Sequence, residues 1–449
     1  MPLYAGVAEV DITPPLGVWM GGYGFRSEGA RDVHDPLFAR ALVLDNGCCR
    51  LVLLVADLIT LDQDLVHAVR TGVGEKLCVP LENVMLHCTH THAGPLTQSY
   101  RAMGVRDEPY VQMLCRKLVS TAQLAAMRLQ PARITYGDAS VQIGVNRRNR
   151  DPQRGSPGVN LAGSVDGAVQ CVCINTPEGN AIAVAFLHAC HPTTMGGDNL
   201  AISAEWPGAA VSALRQRLDT EAVEAGRRQD AMAIALQGCC GDINPHPRGT
   251  WEQVAEYGAR VANAAHAARW AAHVRAGESL EARCEVVNLP LLPAPPLEEL
   301  RAEEAQWDQT LTDERKNGNV GRILHADARR QWARDAMVSE ATQQPIELQC
   351  FHVGGIRILG IPAEVFVQYQ LDFVKQSPEP ALVLGYVNGC WNYLPTAAEF
   401  PLGGYEVAAA YRYYGTRMFA PECERLVRDA AYRLLGVADA DTAPFPLVG

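Results

Sequence analysis

The sequence predicts an α/β fold: a mixed β-sheet core flanked by helices, an active site at the C-terminal ends of strands, and a helical insertion. Three observations point there. Strand-sized runs that are apolar on both faces, such as Leu51–Ala56, alternate with segments of helical period. Turn residues separate them, Asp45-Asn46-Gly47 being the strongest hairpin signal. Polar clusters gather where the apolar runs end, which is where α/β sheets bind their ligands.

Taken in order, Val7–Thr13 reads as a short alternating strand closed by Pro14-Pro15, and Gly17–Gly24 as a glycine-rich loop. Ala39–Leu44 and Leu51–Asp57 form a hairpin, the second arm a central strand. A helix over about 62–76 leads to the Asn83–Thr89 strand, and Pro109–Leu129 is a helix with Val111, Leu114, Leu118 and Ala122 on one side. Ala132–Val145 returns as strand into Asn146-Arg147-Arg148-Asn149-Arg150, followed by a turn-rich stretch over 155–167. Ala168–Ile174 and Ala181–His188 form a second hairpin. Helices are expected at Pro207–Leu218 and Thr250–Ala272, around a buried strand at Ala231–Leu236. Charge rises over 290–345, the expected helical insertion, broken at Asn317-Gly318. Strands resume at Ile346–Val353, Ile356–Gly360 and Ala381–Val387, and Cys423–Leu435 is a final helix.

Bulk properties exclude several classes. The 449 residues suffice for one large α/β domain, and the reading adopted is a single catalytic domain over 1–449. Net charge is −11 with no basic concentration, so nucleic acid is not an expected partner. The longest apolar stretch is strand-sized, so no membrane insertion is expected. The N-terminus lacks the pattern of a secretion signal, and with 14 cysteines this implies a cytoplasmic chain with reduced thiols. Cys48-Cys49, Cys239-Cys240 and Cys171-Val172-Cys173 lack the spacing of zinc knuckles. A small-molecule substrate is the expected partner; a homo-oligomer is left open.

Five strand ends carry the candidate chemistry: Asp57, His90-Thr91-His92, His191-Pro192-Thr193-Thr194, Gln237 to Pro245, and Ile361 to Glu364. Alternation along a strand sets His90 and His92 on one face, where both bind metal, or one binds metal and the other carries a proton, or both are ordinary loop histidines. His90, His191 and Glu364 make the expected shell, two imidazoles and a carboxylate with one further oxygen donor. Pro362 fits a first helical turn, so Glu364 is expected to open a helix.

Together these clusters resemble the catalytic part of the neutral/alkaline non-lysosomal ceramidase family. The matching pieces are Asp11-Ile12-Thr13-Pro14-Pro15, Met20-Gly21-Gly22-Tyr23, His90 to Pro95, Val145-Asn146-Arg147, His191 to Met195, Gly241 to Pro245, Ile361 to Glu364, Asn392 to Thr396 and Tyr405-Glu406, in the family's order. The resemblance implies hydrolysis of an N-acyl amide with one zinc per chain. It implies His90 and His191 as zinc histidines, Glu364 as the carboxylate ligand and Tyr393 as a tyrosine ligand. His92, Arg147 and Tyr405 would hold substrate or steady the oxyanion, and Gly22, Tyr23, His34 and Asp242 would touch substrate. One departure stands out: the family's serine in Gly-Asp-x-Ser-Pro is Asn244 here, which excludes a serine hydroxyl at that point but leaves a hydrogen-bond donor. The chain is also expected to lack the family's C-terminal immunoglobulin-like domain.

The expected function is zinc-dependent hydrolysis of an amide in a soluble small molecule by activated water, with His92 passing a proton to the leaving amine. An esterase or lactonase using the same centre, a true ceramidase, and a metal-holding binding protein without turnover are the alternatives.

Overall fold

The computed structural model describes residues 2–148, 158–226, 230–274 and 277–438. Asn149, Arg150 and the start of the turn-rich stretch lie outside the described residues. Two five-stranded sheets and one four-stranded sheet carry the fold. The first runs Val84–Cys88, Arg50–Ala56, Phe38–Asp45, Tyr4–Asp11 and Gln130–Pro131. The second runs Met232–Gln237, Ala181–His188, Ala168–Asn175, Arg133–Ser140 and His273–Val274. The third runs Leu280–Pro290, Gln343–Val353, Ile356–Gly360 and Ala381–Leu384.

The two-sided apolar runs explain how these sheets stack. Successive side chains on a strand point to opposite faces. Leu51, Leu53 and Val55 join Ile134, Val172, Ala185 and Ile234 in a core between the first two sheets. Val52, Leu54 and Ala56 face the other way, toward Val66 and Val69 of helix Gln63–Leu77 and Leu114 and Leu118 of helix Glu108–Ala126. Helices Glu205–Glu224 and Trp251–Ala271 cover the outer face of the second sheet. The result is helix, sheet, sheet, helix, and each fully buried Leu or Val contributes roughly 1.5–3 kcal/mol. Phe351, Ile358, Leu382 and Leu384 of the third sheet join the same central core. Its other face packs against helices Val367–Gln376 and Cys423–Leu435.

Each of the three sheets contains one parallel pair. They are Arg50–Ala56 with Val84–Cys88, Ala181–His188 with Met232–Gln237, and Ile356–Gly360 with Ala381–Leu384. His87 ties these pairs together: its Nε2 accepts the Gln237 backbone N–H at 2.8 Å, and its backbone bridges Val387. Burial lowers its pKa to about 3, which keeps that nitrogen an acceptor.

Several elements differ from the sequence reading, each for a local reason. The expected strand Ala132–Val145 stops at Ser140, and Gly144–Asn146 instead pairs with Ile243–Pro245. That detour sets Arg147 beside the Asn244 segment. Glu364 does not open a helix; Glu364–Val365 is a two-residue strand paired in parallel with Tyr393–Leu394, and the helix starts at Val367. Strand Leu280–Pro290 is half-exposed and mixed in polarity, so it has no periodic signal to read. It pairs with Gln343–Val353 over its whole length. The helical insertion is the connection of that hairpin: helices Leu297–Asn317 and Val320–Val338, parted at Gly318 with φ +72°. Among the described residues no helix is long and apolar enough to cross a membrane.

Candidate metal centre and active site

The three parallel pairs deliver one candidate ligand group each. Strand Val84–Cys88 ends two residues before His90, strand Ala181–His188 three before His191, and strand Ile356–Gly360 four before Glu364. Arrangement by strand-face alternation does not hold at His90: its φ is +66°, so the chain has already left the extended conformation. The turn still brings His90 Nε2 and His92 Nε2 to 3.2 Å. His90, His92 and His191 are buried, with ligand atoms all within 4.8 Å of one another.

Two of these rings are pinned and the third is not. His90 Nδ1 lies 2.8 Å from the Ile59 carbonyl oxygen. His191 Nδ1 faces the Cys240 carbonyl and is 3.2 Å from that of Ile243. A ring nitrogen against a carbonyl must carry the proton, so both Nε2 atoms present lone pairs inward. They meet Glu364 Oε2 at 3.5 Å and 3.1 Å. His92 Nδ1 is buried with no partner among the described residues. Packing holds that ring instead: a Cβ on Gly22 would lie 2.4 Å from its Nδ1, and Tyr23 meets it edge-on at 5.0 Å. Gly22 has φ +94°, so the close approach needs glycine on both counts.

Whether a cation fits is decided by these donors. Two imidazole lone pairs and a carboxylate oxygen converge with no hydrogen between them, an arrangement that repels itself unless a positive charge lies among them. Burial, followed by the nearby Arg147, lowers His191 to about 4, so this ring is neutral at pH 7. The Tyr414 hydroxyl donates to the other Glu364 carboxylate oxygen, Oε1. Tyr393 is the register partner of Glu364, so its phenol projects beside the carboxylate. The buried group His90, His92 and His191 could therefore hold a metal ion, with the Glu364 carboxylate against two of the rings.

Around this centre the polar residues are braced in layers. Buried Arg147 donates from Nε to Glu406 Oε1 at 2.9 Å, from Nη1 to Asn244 Oδ1 at 3.1 Å and from Nη2 to Tyr393 Oη at 2.9 Å. Each of its nitrogens is thus engaged by a side chain, so it works through Tyr393 and Asn244. Thr193 also donates to Asn244 Oδ1, at 3.4 Å. With its oxygen used twice, Asn244 has its amide NH₂ left to donate outward. Tyr405 packs edge-on against Tyr393 with centroids 5.9 Å apart.

Two expected substrate contacts stand elsewhere. His34 stacks on Trp251 at 3.8 Å and pairs with Asp35, in a separate cavity bounded by Glu9, Phe38 and Arg215. It follows strand Asp32–Val33, which pairs with Ala201–Ile202. Asp242 spends both carboxylate oxygens on the fold, accepting Val367 N–H at 2.8 Å and Asn146 Nδ2 at 2.9 Å. Sequence reading gave Glu406 no role and missed Tyr414 and Tyr386, the ring of Tyr386 stacking on His90 at 3.8 Å. Tyr386 follows the C-terminal end of strand Ala381–Leu384, so the strand-end rule could have found it. Tyr414 sits in an irregular aromatic segment with no such signal.

Comparison with known proteins identifies the family. The neutral/alkaline non-lysosomal ceramidase N-terminal model matches residues 3–274. The neutral ceramidase of Pseudomonas aeruginosa is 26% identical over 222 residues, 47% of this chain. That match spans 33% of the relative's length, about a third. The crystal structure of the neutral ceramidase from Pseudomonas aeruginosa has the same fold, with TM-score 0.72 at 22% identity, covering 98% of this chain and 74% of that one. A ceramidase complexed with C2 superposes with TM-score 0.73 at 20% identity, covering 99% and 77%. The chain belongs to the neutral/alkaline non-lysosomal ceramidase family.

Proposed function

We propose that this protein is a metal-dependent amidohydrolase that cleaves the N-acyl bond of a small molecule with water. The observation that carries the reading is the unequal treatment of three adjacent histidines: two held at Nδ1 by carbonyls, one with Nδ1 unbonded. Fixing the outer nitrogen is how proteins orient metal-binding imidazoles, and an imidazole with an unbonded nitrogen suits proton transfer. His90, His191, Glu364 and Tyr393 would hold one divalent cation, and the nitrogen and oxygen donor set suits zinc. Such a cation supplies Lewis acidity toward a carbonyl and lowers the pKa of water toward 7.

The chain's own residues supply the rest. Burial, with the neighbouring rings, keeps His92 well below its ordinary pKa, so the ring is neutral. It would take the proton of the attacking water and deliver it to the departing nitrogen. Asn244 would donate its amide N–H to the developing oxyanion, taking the place the family gives to serine. Tyr405 would donate from the opposite wall. Gly22 and Tyr23 hold His92 in place and border the substrate. Fourteen thiols with no disulfide suit a reducing compartment, so a cytoplasmic enzyme is proposed.

The test is hydrolysis of a panel of soluble N-acyl compounds by protein stripped with a chelator and then reloaded with zinc. Turnover that disappears on stripping and returns on reloading supports the proposal. Equal turnover in the stripped and loaded forms, or none in either, defeats it.

A further inference from the structure

The protein carries a net charge of −11, yet two guanidinium groups beside the histidines have no carboxylate partner among the described residues. Arg26 is buried. Its Nη1 donates to Gly21 O at 2.7 Å and its Nη2 to His92 O at 2.9 Å, while its Nε has no partner. Burial lowers its pKa to about 10, and exposed Asp198 is the acid whose field reaches it. Arg248 is exposed, and its Nη1 donates to the Thr193 carbonyl at 3.3 Å. Tyr23 joins the two: Arg26 lies 5.2 Å from its ring centroid, its hydroxyl donates to Met195 O, and Arg248 is the cation that acts on it most strongly. The third cation, Arg147, is offset by Glu406. Glu205, whose field also reaches Tyr23, spends its oxygens on Thr194 and Met195 N–H groups. A buried guanidinium bonded only to carbonyls is costly unless an anion completes it.

Position selects the half of the substrate. Arg26 holds the carbonyl of His92, and Arg248 holds that of Thr193, whose hydroxyl bonds Asn244. Both therefore hold the backbone of the segments that carry His92 and the Thr193 partner of Asn244. Resting on the hydrolase reading above, in which His92 serves the leaving nitrogen, we infer that the substrate is an N-acylated amino acid whose carboxylate is recognised by Arg248, with Arg26 behind it. In the reaction the C–N bond breaks, the water oxygen bonds to the acyl carbon, the proton goes to nitrogen, and an amino acid and a carboxylic acid leave. A neutral N-acyl amino alcohol offers nothing to these cations.

Matched substrates test this: N-hexanoyl-alanine against N-hexanoyl-alaninamide, with the zinc-loaded enzyme. The acid should be preferred by about tenfold or more in kcat/KM, as expected for a charge-assisted contact. In Arg248→Gln that ratio should collapse toward about one through KM, and Arg248→Lys should retain part of it. Equal rates for acid and amide in the wild type, or an unchanged ratio in Arg248→Gln, would overturn the inference while leaving the hydrolase reading intact. Calorimetric titration of both compounds decides the matter even without turnover. Binding of the acid alone, lost in Arg248→Gln, supports the inference, and indifference to the carboxylate overturns it.

Discussion

His92 and its two neighbours show how much one hydrogen bond decides. All three rings are buried within reach of one another, but only His90 and His191 have Nδ1 committed to carbonyls. The same logic extends outward to Tyr414, whose hydroxyl holds the carboxylate oxygen of Glu364 that faces away from the histidines. Tyr414→Phe should weaken zinc binding by 10- to 100-fold, read by competition with a chelating dye. Glu205 gives a pH dependence. Burial raises its carboxyl to about 7 from 4.5, against the pull of the Met195 and Thr194 N–H groups. A folded value above the unfolded one means its stabilisation is full below about 4.5 and lost as pH rises toward 7. Asp242, raised by burial to about 7, has the same sign. The denaturation midpoint should therefore fall between pH 5 and 7 and then level off, and Glu205→Gln should flatten part of that fall. The group's share is on the order of 3 kcal/mol at most.

Elements were legible wherever period and burial agreed. The hairpin around Asp45-Asn46-Gly47, the strand Ile356–Gly360 and the helix Cys423–Leu435 follow directly from their residues. Thr250 and Gln253 form the capping box that starts helix Trp251–Ala271. Strand Leu280–Pro290 was illegible because long-range pairing with Gln343–Val353 creates it. The short strand at Glu364 depends in the same way on Tyr393, far along the chain. Tertiary packing also reverses a propensity rule at Gly258. Alanine in mid-helix normally stabilises by about 1 kcal/mol over glycine. Here a Cβ would lie 2.4 Å from Ala209 Cβ and 2.8 Å from its backbone. Gly258→Ala should therefore lower stability, by about 1–3 kcal/mol, in a denaturant titration.

In the whole molecule, three sheets converge so that their parallel pairs end together around His87, and the candidate ligands are what those ends carry. The clustering of His90, His191 and Glu364 was readable because strand ends are where α/β sheets place ligands. Tyr393 and Tyr405 came only from family resemblance, since a lone aromatic residue has no pattern that separates a ligand from core. His34 instead stacks on Trp251 at a separate cavity. The central claim is that these three strand ends hold one metal ion, and metal content per chain tests it most directly. Purified protein and the folded variants His90→Ala and His191→Ala would be assayed by inductively coupled plasma mass spectrometry after equilibration with zinc. The expected result is about one zinc per chain in the wild type and close to none in either variant. Equal zinc in all three proteins would contradict it.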